Sequence, residues 1–257
     1  MAEKKRIILV IDEYPYIAKA SRSLASTLQS LIDKNKDNSK LFLILYGSSM
    51  SFMENHVLAY KAPLYGRRTA QFKLLPFDFF ESQKYFENFS DIDMAIVYGI
   101  VGGIPQYLLQ MNDSLSLEEN IKRCFLDPSS TLFEEPNKLL KQEVREPAIY
   151  NAIIAAIATG GTKLSEISSK VGVETSACSA YIKNLISLGI VKKETPFSEA
   201  SKRKTLYKID DNLFRFWYRF IPDSIASINR GLTDSVYKRI YPNINGYMGV
   251  VFEDICT

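Results

Sequence analysis

The first part of the chain alternates between continuous apolar runs and an amphipathic stretch. Ile7 to Ile11 is an unbroken aliphatic run bounded by charge, and Leu41 to Tyr46 is a second apolar run that Gly47 closes. Such runs are typical of strands buried on both faces of a parallel sheet. Between them, Ser21 to Lys34 has apolar residues at helical spacing. The order strand, helix, strand predicts a right-handed parallel crossover.

The middle of the chain has a helical pattern. We predict mainly helix from Phe77 to Phe125, with capping boxes that join Asp78 to Glu81 and Ser116 to Glu119. This segment is interpreted as a helical lid beside the sheet. Residues 128–147 are polar and contain three prolines, which favours a connection between domains, although 138–144 could be helical.

A different pattern follows the prolines. Three helices are predicted, at 148–158, 164–170 and 176–188, and two short strands at 190–195 and 206–209. Three helices and a hairpin make a winged helix-turn-helix.

The fold class predicted for the whole chain is α/β followed by α+β. It comprises a parallel sheet with a helical lid and then a winged helix. The predicted divisions are 1–75 for the sheet, 76–146 for the lid and connector, 147–210 for the winged helix and 211–257 for the C-terminal segment.

Composition narrows the function classes. The chain has 257 residues, of which 46% are hydrophobic and 24% charged, and this suits two globular domains. Its net charge of +3 is too small to indicate nucleic acid without local clustering. With one histidine, His56, and three scattered cysteines, neither a zinc site nor a disulfide framework is indicated, and a reducing cytoplasm is expected. The apolar run near the N-terminus is too short for a signal peptide or membrane span.

Two carboxylates end the first predicted strand. Asp12 could help to hold magnesium and Glu13 could polarise an attacking water, which are the two acidic tasks of an ATPase. Ser48 follows the second strand, where a hydroxyl could sense a γ-phosphate. The alternatives are a solvated strand end for the two acids and a simple turn residue for the serine.

Several motifs occur together in a recognisable order. The segments IILVIDEYPYI, LFLILYGSSMSFME, PLYGRRTAQFKLLPF, GGIPQYL and DNLFRFWYRF resemble a prokaryotic, mainly archaeal, ATPase family of the AAA+/STAND group with a winged-helix tail. The resemblance implies that 1–75 is a partial P-loop NTPase core, the ATPase core of the chain. It also implies that Asp12 and Glu13 are the Walker B pair, with Mg²⁺ on Asp12. It makes Ser48 a sensor, with ATP or ADP as the ligand.

The resemblance also implies roles for an arginine pair and a glycine turn. Arg67 or Arg68 would contact phosphate or support the sensor, in its own chain or in a neighbour of a homo-oligomer. Gly102, Gly103 and Pro105 would lie against the adenine. A surface basic pair and a plain helix break are the alternatives. Gln106 stands where the family more often has a basic residue.

One family motif is missing. None of the twelve glycines begins a GxxxxGK[ST] sequence, so the chain has no Walker A loop. Without that loop we expect the chain alone to bind ATP poorly and not to hydrolyse it. A truncated product accounts for this more simply than an evolved pseudoenzyme.

Basic and polar residues gather on the predicted recognition helix and wing, where they could contact duplex DNA. They are Ser176, Ser179, Lys183, Lys192, Lys193, Lys202, Arg203 and Lys204, with Asn184 and Lys208 beside them. A winged helix can also serve only as a protein-interaction module.

The C-terminal segment has two further features. The aromatic stretch from Asp211 to Ile221 is interpreted first as core or interdomain packing, and base stacking is the alternative. Residues 246–253 resemble the opening of a restriction-nuclease-like domain. Only Glu253 of its carboxylate site could be present, so no nuclease activity is expected.

Three functions remain open at this point. The leading one is an ATP-dependent molecular switch that repositions a winged helix on DNA or a partner. The second is a non-enzymatic winged-helix DNA-binding regulator with a relict nucleotide domain. The third is a protein-interaction module.

Overall fold

The computed structural model describes residues 5–36, 38–48, 52–195 and 205–256. The described residues form two compact units, 1–74 and 75–257. The first boundary lies one residue from the division proposed at 75. The predicted DNA contacts Lys202, Arg203 and Lys204 lie outside the described residues.

The first unit is a small parallel α/β element. Strand β1 is Ile7–Ile11 and strand β2 is Leu41–Leu45, and they pair in parallel from Ile7 opposite Leu41 to Ile11 opposite Leu45. The predicted parallel strand pair is therefore confirmed. The connecting chain holds two helices rather than one, and a π-helical turn follows β2; the bounds are α1 Tyr14–Ala20, α2 Leu24–Asn35 and the turn Met53–Val57.

The prediction that both strands are buried on both faces is wrong. Ile8, Val10 and Phe42 are 63%, 54% and 53% exposed. Side chains alternate between the two faces of a strand, and Tyr14 and Leu28 pack with residues of one face only. The described residues give this sheet two strands, and Phe42 and Ile44 on its opposite face are 53% and 37% exposed.

The second unit is mainly helical. Its antiparallel hairpin consists of β3 Val191–Glu194 and β4 Leu206–Ile209. Its α-helices are α3 Phe79–Gln83, α4 Asp91–Val101, α5 Pro105–Leu108, α6 Leu117–Phe125, α7 Thr131–Glu143, α8 Pro147–Ala158, α9 Leu164–Val171, α10 Thr175–Ser187, α11 Asn212–Phe220, α12 Ile225–Asn229 and α13 Thr233–Ile255.

Both capping boxes are confirmed. The Asp78 carboxylate accepts from the Glu81 backbone N–H at 2.7 Å, and the Glu81 carboxylate accepts from the Asp78 N–H at 3.1 Å. Ser116 and Glu119 exchange the corresponding bonds at 3.2 and 2.9 Å. Each box satisfies two N–H groups that a helix start would otherwise leave without a partner.

The winged helix is also confirmed. Helices α8, α9 and α10 and the β3–β4 hairpin begin and end within two residues of the predicted bounds. Gly172 adopts φ 75° at the end of α9, where glycine permits the left-handed turn into α10.

The predicted connection at 128–147 is wrong. Most of it is helix α7, whose Leu132, Phe133 and Leu140 are buried in the core that α8 and α11 share. Pro136 lies inside this helix, so the prolines did not mark a linker. Residues 75–257 thus have one continuous core.

The aromatic segment is core, as the first interpretation held. In α11, Phe214 and Phe216 are fully buried, and the Trp217 indole N–H donates to the Phe133 carbonyl at 2.8 Å. Asp211 caps this helix by accepting from the Phe214 N–H at 3.0 Å. Residues 246–253 belong to the long helix α13.

Candidate nucleotide and DNA-binding sites

Two backbone hydrogen bonds join the ends of β1 and β2. The Tyr46 N–H donates to the Ile11 carbonyl at 3.1 Å, and the Tyr14 N–H donates to the Tyr46 carbonyl at 2.9 Å. They continue the strand pairing past the last sheet residues. The segments Asp12–Glu13 and Gly47–Ser48 are therefore held side by side.

Three of the predicted site residues meet at these strand ends. The Ser48 hydroxyl donates to the Glu13 carboxylate, at 3.0 Å to Oε1 and 3.3 Å to Oε2. The Glu13 backbone N–H donates to Asp12 Oδ1 at 2.7 Å. Asp12 and Glu13 are both exposed. The structure thus gathers two carboxylates and a hydroxyl at an accessible edge of the sheet.

Glu13 has an unusual backbone conformation. Its φ and ψ are 47° and 42°, and it is the one non-glycine residue with positive φ among those the structure describes. For an L-residue this left-handed conformation costs roughly 1–2 kcal/mol. Strained residues of this kind cluster at functional sites, where surrounding structure holds them. Here Tyr14 and Pro15, both buried, begin α1 immediately after Glu13.

Gly47 is required by a close contact. A Cβ at this position would lie 2.3 Å from Pro15 Cδ and 2.6 Å from Pro15 Cγ. Glycine lets the end of β2 approach the start of α1. That approach places Ser48 within hydrogen-bond distance of Glu13.

The acidic pair fits magnesium only in part. Mg²⁺ prefers oxygen ligands and is often held by one or two carboxylates together with waters and substrate phosphates. Within the ranges that the structure covers, no group of three or more His, Cys, Asp or Glu side chains could hold a metal ion. Asp12 and Glu13 would therefore need phosphate oxygens and waters to complete a magnesium site.

The arginine pair divides into one engaged residue and one exposed residue. Arg67 grips Asp33 of α2 with two hydrogen bonds, 2.7 Å from Nε to Oδ1 and 2.8 Å from Nη2 to Oδ2. Its Nη1 donates to the carbonyls of Pro63 and Tyr65. Hydrogen bonding from Arg67 lowers the pKa of Asp33. Arg67 thus ties a loop to α2, whereas Arg68 is exposed.

The glycine turn of the second unit has a structural explanation. A Cβ on Gly103 would lie 1.8 Å from the Phe77 carbonyl oxygen, and the Phe77 N–H donates to the Gly103 carbonyl at 2.9 Å. Gly102 ends α4 with φ 66°. Pro105 is the first residue of α5. The turn is thus shaped by contacts within its own unit.

Helix α10 presents a polar face to solvent. Ser176, Lys183 and Asn184 are exposed and Ser179 is partly exposed, whereas Cys178 is buried on the opposite side. Asn184 donates to the Tyr150 hydroxyl at 2.7 Å, which fixes its side chain. The face therefore offers hydroxyl, amide and ammonium groups, the kinds of donor that contact bases and phosphates.

The hairpin cations differ in accessibility. Lys193 is exposed. Its neighbour Lys192 lies 2.7 Å from the Asp254 carboxylate, 3.5 Å from that of Asp210 and 3.9 Å from that of Glu194. Lys208 lies 2.8 Å from Glu194. The predicted DNA contact Lys192 is thus engaged within the protein.

Three members of this charge group, Asp210, Arg215 and Asp254, were missed from the sequence. The Arg215 guanidinium lies 2.7 Å from the other oxygen of Asp254 and also donates to the Ile209 carbonyl. Asp254 follows Lys192 by 62 positions in the chain, so no local pattern signals their contact. We call the six side chains the wing-base cluster: Lys192, Glu194, Lys208, Asp210, Arg215 and Asp254.

Lys192 and Asp254, at the centre of this cluster, keep each other charged. Burial alone would lower the pKa of Lys192, but the hydrogen bond to Asp254 and the nearby carboxylates outweigh it, so the pKa is raised. Burial alone would raise the pKa of Asp254, but hydrogen bonds from Lys192 and Arg215 outweigh it, so that pKa is lowered. Both groups are therefore ionised at neutral pH.

Three segments of the chain match known protein families. Residues 1–111 match a family described as an ATPase domain predominantly from Archaea, and residues 148–192 match a family of winged helix-turn-helix DNA-binding domains. Residues 217–257 match a family described as archaeal and bacterial proteins of unknown function. The class of protein is thus an ATPase-like domain followed by a winged helix-turn-helix.

One curated relative matches nearly the whole chain. It is an uncharacterized protein of Methanocaldococcus jannaschii, 36% identical over 251 residues, which are 96% of this chain and 56% of the relative. The chain therefore spans little more than half the length of that relative. None of the helices described is both long enough and apolar enough to cross a membrane.

Proposed function

We propose that this chain is part of an ATP-dependent molecular switch in which the nucleotide state of the ATPase-like domain governs a winged helix that binds duplex DNA. The observation that carries the proposal is the grouping of Asp12, Glu13 and Ser48 at adjoining strand ends. Its family matches, to an ATPase domain and to a DNA-binding winged helix, support both halves.

The strand-end residues take distinct roles in this proposal. Asp12 would help to hold Mg²⁺, which would supply positive charge to neutralise the phosphates when ATP is bound. Glu13 accepts a hydrogen bond from the attacking water, which orients and polarises it, and takes up its proton as general base when the water attacks. Ser48 holds the Glu13 carboxylate through the 3.0 Å hydrogen bond and responds to the γ-phosphate.

The arginine that contacts phosphate is assigned to Arg68. Asp33 and two carbonyls occupy the Arg67 guanidinium, whereas Arg68 is exposed. Arg68 could reach a nucleotide in its own chain or in a second copy within a homo-oligomer. Gly102, Gly103 and Pro105 are assigned to the adenine, where small residues allow a close approach of the backbone.

ATP phosphates are normally bound by a Walker A loop, which this sequence does not encode. The 257 residues contain no GxxxxGK[ST] motif, which supplies the lysine and backbone amides that grip the β- and γ-phosphates. We therefore propose that turnover requires a Walker A loop from outside these residues, and that the chain alone does not hydrolyse ATP.

The test is ATP turnover by a longer form that carries such a loop, beside the same form with Glu13→Gln. We expect the substitution to lower kcat by about 10²–10⁴-fold, the usual contribution of a positioned general base. Glu54→Gln, at another exposed glutamate of the same unit, is the matched control and should retain the parent rate. Unchanged turnover in the Glu13→Gln form would refute the proposed role of Glu13.

A second candidate is a non-enzymatic DNA-binding regulator. It is favoured by a winged helix that belongs to a well-packed unit, in a sequence that has no Walker A motif. In that case, duplex DNA would bind with a marked salt dependence that changing Lys202, Arg203 and Lys204 to glutamine reduces. Addition of ATP would leave the DNA affinity of the longer form unchanged. If duplex DNA did not bind at all, the winged helix would be a protein-interaction module.

A further inference from the structure

Lys192 sits at the base of the wing among three carboxylates. Its ammonium lies 2.7 Å from Asp254, 3.5 Å from Asp210 and 3.9 Å from Glu194. The nearest of these, Asp254, is in the last turn of α13, outside the segment that matches the winged-helix family. The wing cation is thus held by a carboxylate from a different element of the fold.

The wing-base cluster is balanced in charge. Lys192 and Lys208 are register partners and so lie on the same face of the hairpin. With Arg215 they provide three positive charges against the three negative charges of Glu194, Asp210 and Asp254. This face of the hairpin therefore offers no net charge to a polyanion.

The cluster remains within reach of solvent. The side chain of Lys192 is 28% exposed and that of Asp254 is 32% exposed, whereas that of Arg215 is only 11% exposed. A DNA phosphate and the Asp254 carboxylate are both anionic oxygen acceptors for the same ammonium. The two acceptors would compete for Lys192.

Helix α13 fixes the carboxylate in place. Val251, one turn before Asp254, is fully buried, and the Tyr247 hydroxyl donates to the Gly99 carbonyl of α4. The helix packs so closely on α4 that a Cβ on Gly99 would lie 2.7 Å from Met248 Sδ. Asp254 is therefore presented to the wing by a firmly packed helix.

We propose that Asp254 is an intramolecular competitor of DNA phosphate, so that the end of α13 masks Lys192 and limits the affinity of the winged helix for duplex DNA. The inference rests on the proposed DNA binding. It predicts that Lys192 contributes to duplex binding only when the Asp254 charge is absent. The parent chain would bind through its other candidate contacts, on α10, at Lys193 and at Lys202, Arg203 and Lys204.

The test measures equilibrium binding of a fluorescently labelled DNA duplex by anisotropy over a series of KCl concentrations. The proteins are the full chain and its Asp254→Asn, Lys192→Gln and doubly substituted variants. Asp223→Asn removes an exposed carboxylate elsewhere in the same unit and is the matched control. Circular dichroism and the fluorescence of the single tryptophan check that each variant is folded.

Masking gives a specific pattern of results. Asp254→Asn should tighten binding by about three- to tenfold near 0.1 M salt and steepen the log–log salt slope by about 0.9, the value for one added phosphate contact. Lys192→Gln alone should leave affinity and slope unchanged, and in the Asp254→Asn background it should abolish the gain. Asp223→Asn should have a much smaller effect than Asp254→Asn.

Three results would overturn masking while leaving the DNA-binding function in place. They are a slope reduced by Lys192→Gln alone, an affinity unchanged by Asp254→Asn, or an equal gain from Asp223→Asn. Absence of duplex binding in every protein at low salt would overturn both masking and the proposed DNA binding. Binding by the Asp254→Asn variant alone would support masking in its strongest form.

Discussion

Gly103→Ala tests whether the glycine turn is required by packing. In the structure a Cβ at this position would lie 1.8 Å from the Phe77 carbonyl oxygen and 2.7 Å from the Phe77 nitrogen. The obstacle is backbone, which cannot swing aside as the end of a side chain can. The alanine methyl must therefore push the two segments apart by more than 1 Å, since real Cβ contacts stay beyond about 3 Å.

The magnitude follows from two losses. Separation breaks the 2.9 Å hydrogen bond from the Phe77 N–H to the Gly103 carbonyl, at a cost of about 0.5–1.5 kcal/mol. Overpacking at a buried position adds about 1–3 kcal/mol. We therefore expect Gly103→Ala to lower the free energy of unfolding by about 2–4 kcal/mol, or roughly 5–15 °C in Tm for a unit of this size.

The assay is thermal and urea unfolding followed by tryptophan fluorescence. Trp217 is the one tryptophan of the chain and is buried in the same unit, so its signal reports on this core. Gly246→Ala is the matched control, because Gly246 lies within α13 and nothing lies within 4 Å of an added Cβ. Alanine should stabilise that helix by about 0.5–1 kcal/mol. Equal stability of Gly103→Ala and the parent chain would refute the packing argument.

Two further predictions concern single residues. Burial raises the pKa of Asp211 to about 6, whereas the pKa in the unfolded chain is near 4. Between these two pH values the unfolded state has lost a proton that the folded state keeps, so the free energy of unfolding falls as pH rises. Asp211→Asn keeps an N-cap acceptor but does not titrate. The difference in free energy of unfolding between this variant and the parent, measured by urea unfolding, should therefore grow in favour of the variant from pH 4 to pH 7, by up to about 2–3 kcal/mol. A difference that stays constant with pH would contradict the burial argument. At the strained Glu13, the Glu13→Gly variant should be more stable than Glu13→Ala by about 1–2 kcal/mol, as measured by amide hydrogen exchange in β1 and α1. Both variants lose the hydrogen bond from Ser48, but only glycine adopts the positive φ without strain. Equal protection would show that the conformation is not strained.

Local sequence signals predicted local structure well. The pairs Asp78–Glu81 and Ser116–Glu119 form the expected capping boxes because a cap depends only on residues within one turn. The winged helix was predicted because its helices and strands each have their own periodicity and a glycine at the turn.

Burial could not be predicted in the same way. The run Ile7–Ile11 forms a strand, but whether its two faces are covered depends on what else packs on the sheet. The polar residues and prolines of 128–147 favour a connection between domains, because composition does not show what packs against the stretch. Most of the stretch is helix α7, because Leu132, Phe133 and Leu140 form an apolar stripe that packs into a core built from residues distant in the sequence.

The candidate sites show the same limit. The proximity of Asp12, Glu13 and Ser48 could be predicted, because parallel strands bring their carboxyl ends to one edge. The pairing of Arg67 with Asp33, and of Lys192 with Asp254, joins residues 34 and 62 positions apart. Arg67 and Lys192, which the sequence suggests as ligand-binding cations, are thus paired with carboxylates that only the fold brings close to them.

The most direct test of the proposed switch is the affinity of Mg²⁺-ATP for this chain, measured beside a longer form that carries a Walker A loop. A fluorescent ATP analogue titrated with magnesium gives both values. We predict weak binding to this chain, tight binding to the longer form, and a loss of the magnesium-dependent part in the longer form with Asp12→Asn. If the longer form bound ATP no better than this chain, or if Asp12→Asn left its magnesium dependence unchanged, the strand-end carboxylates would not belong to a nucleotide site.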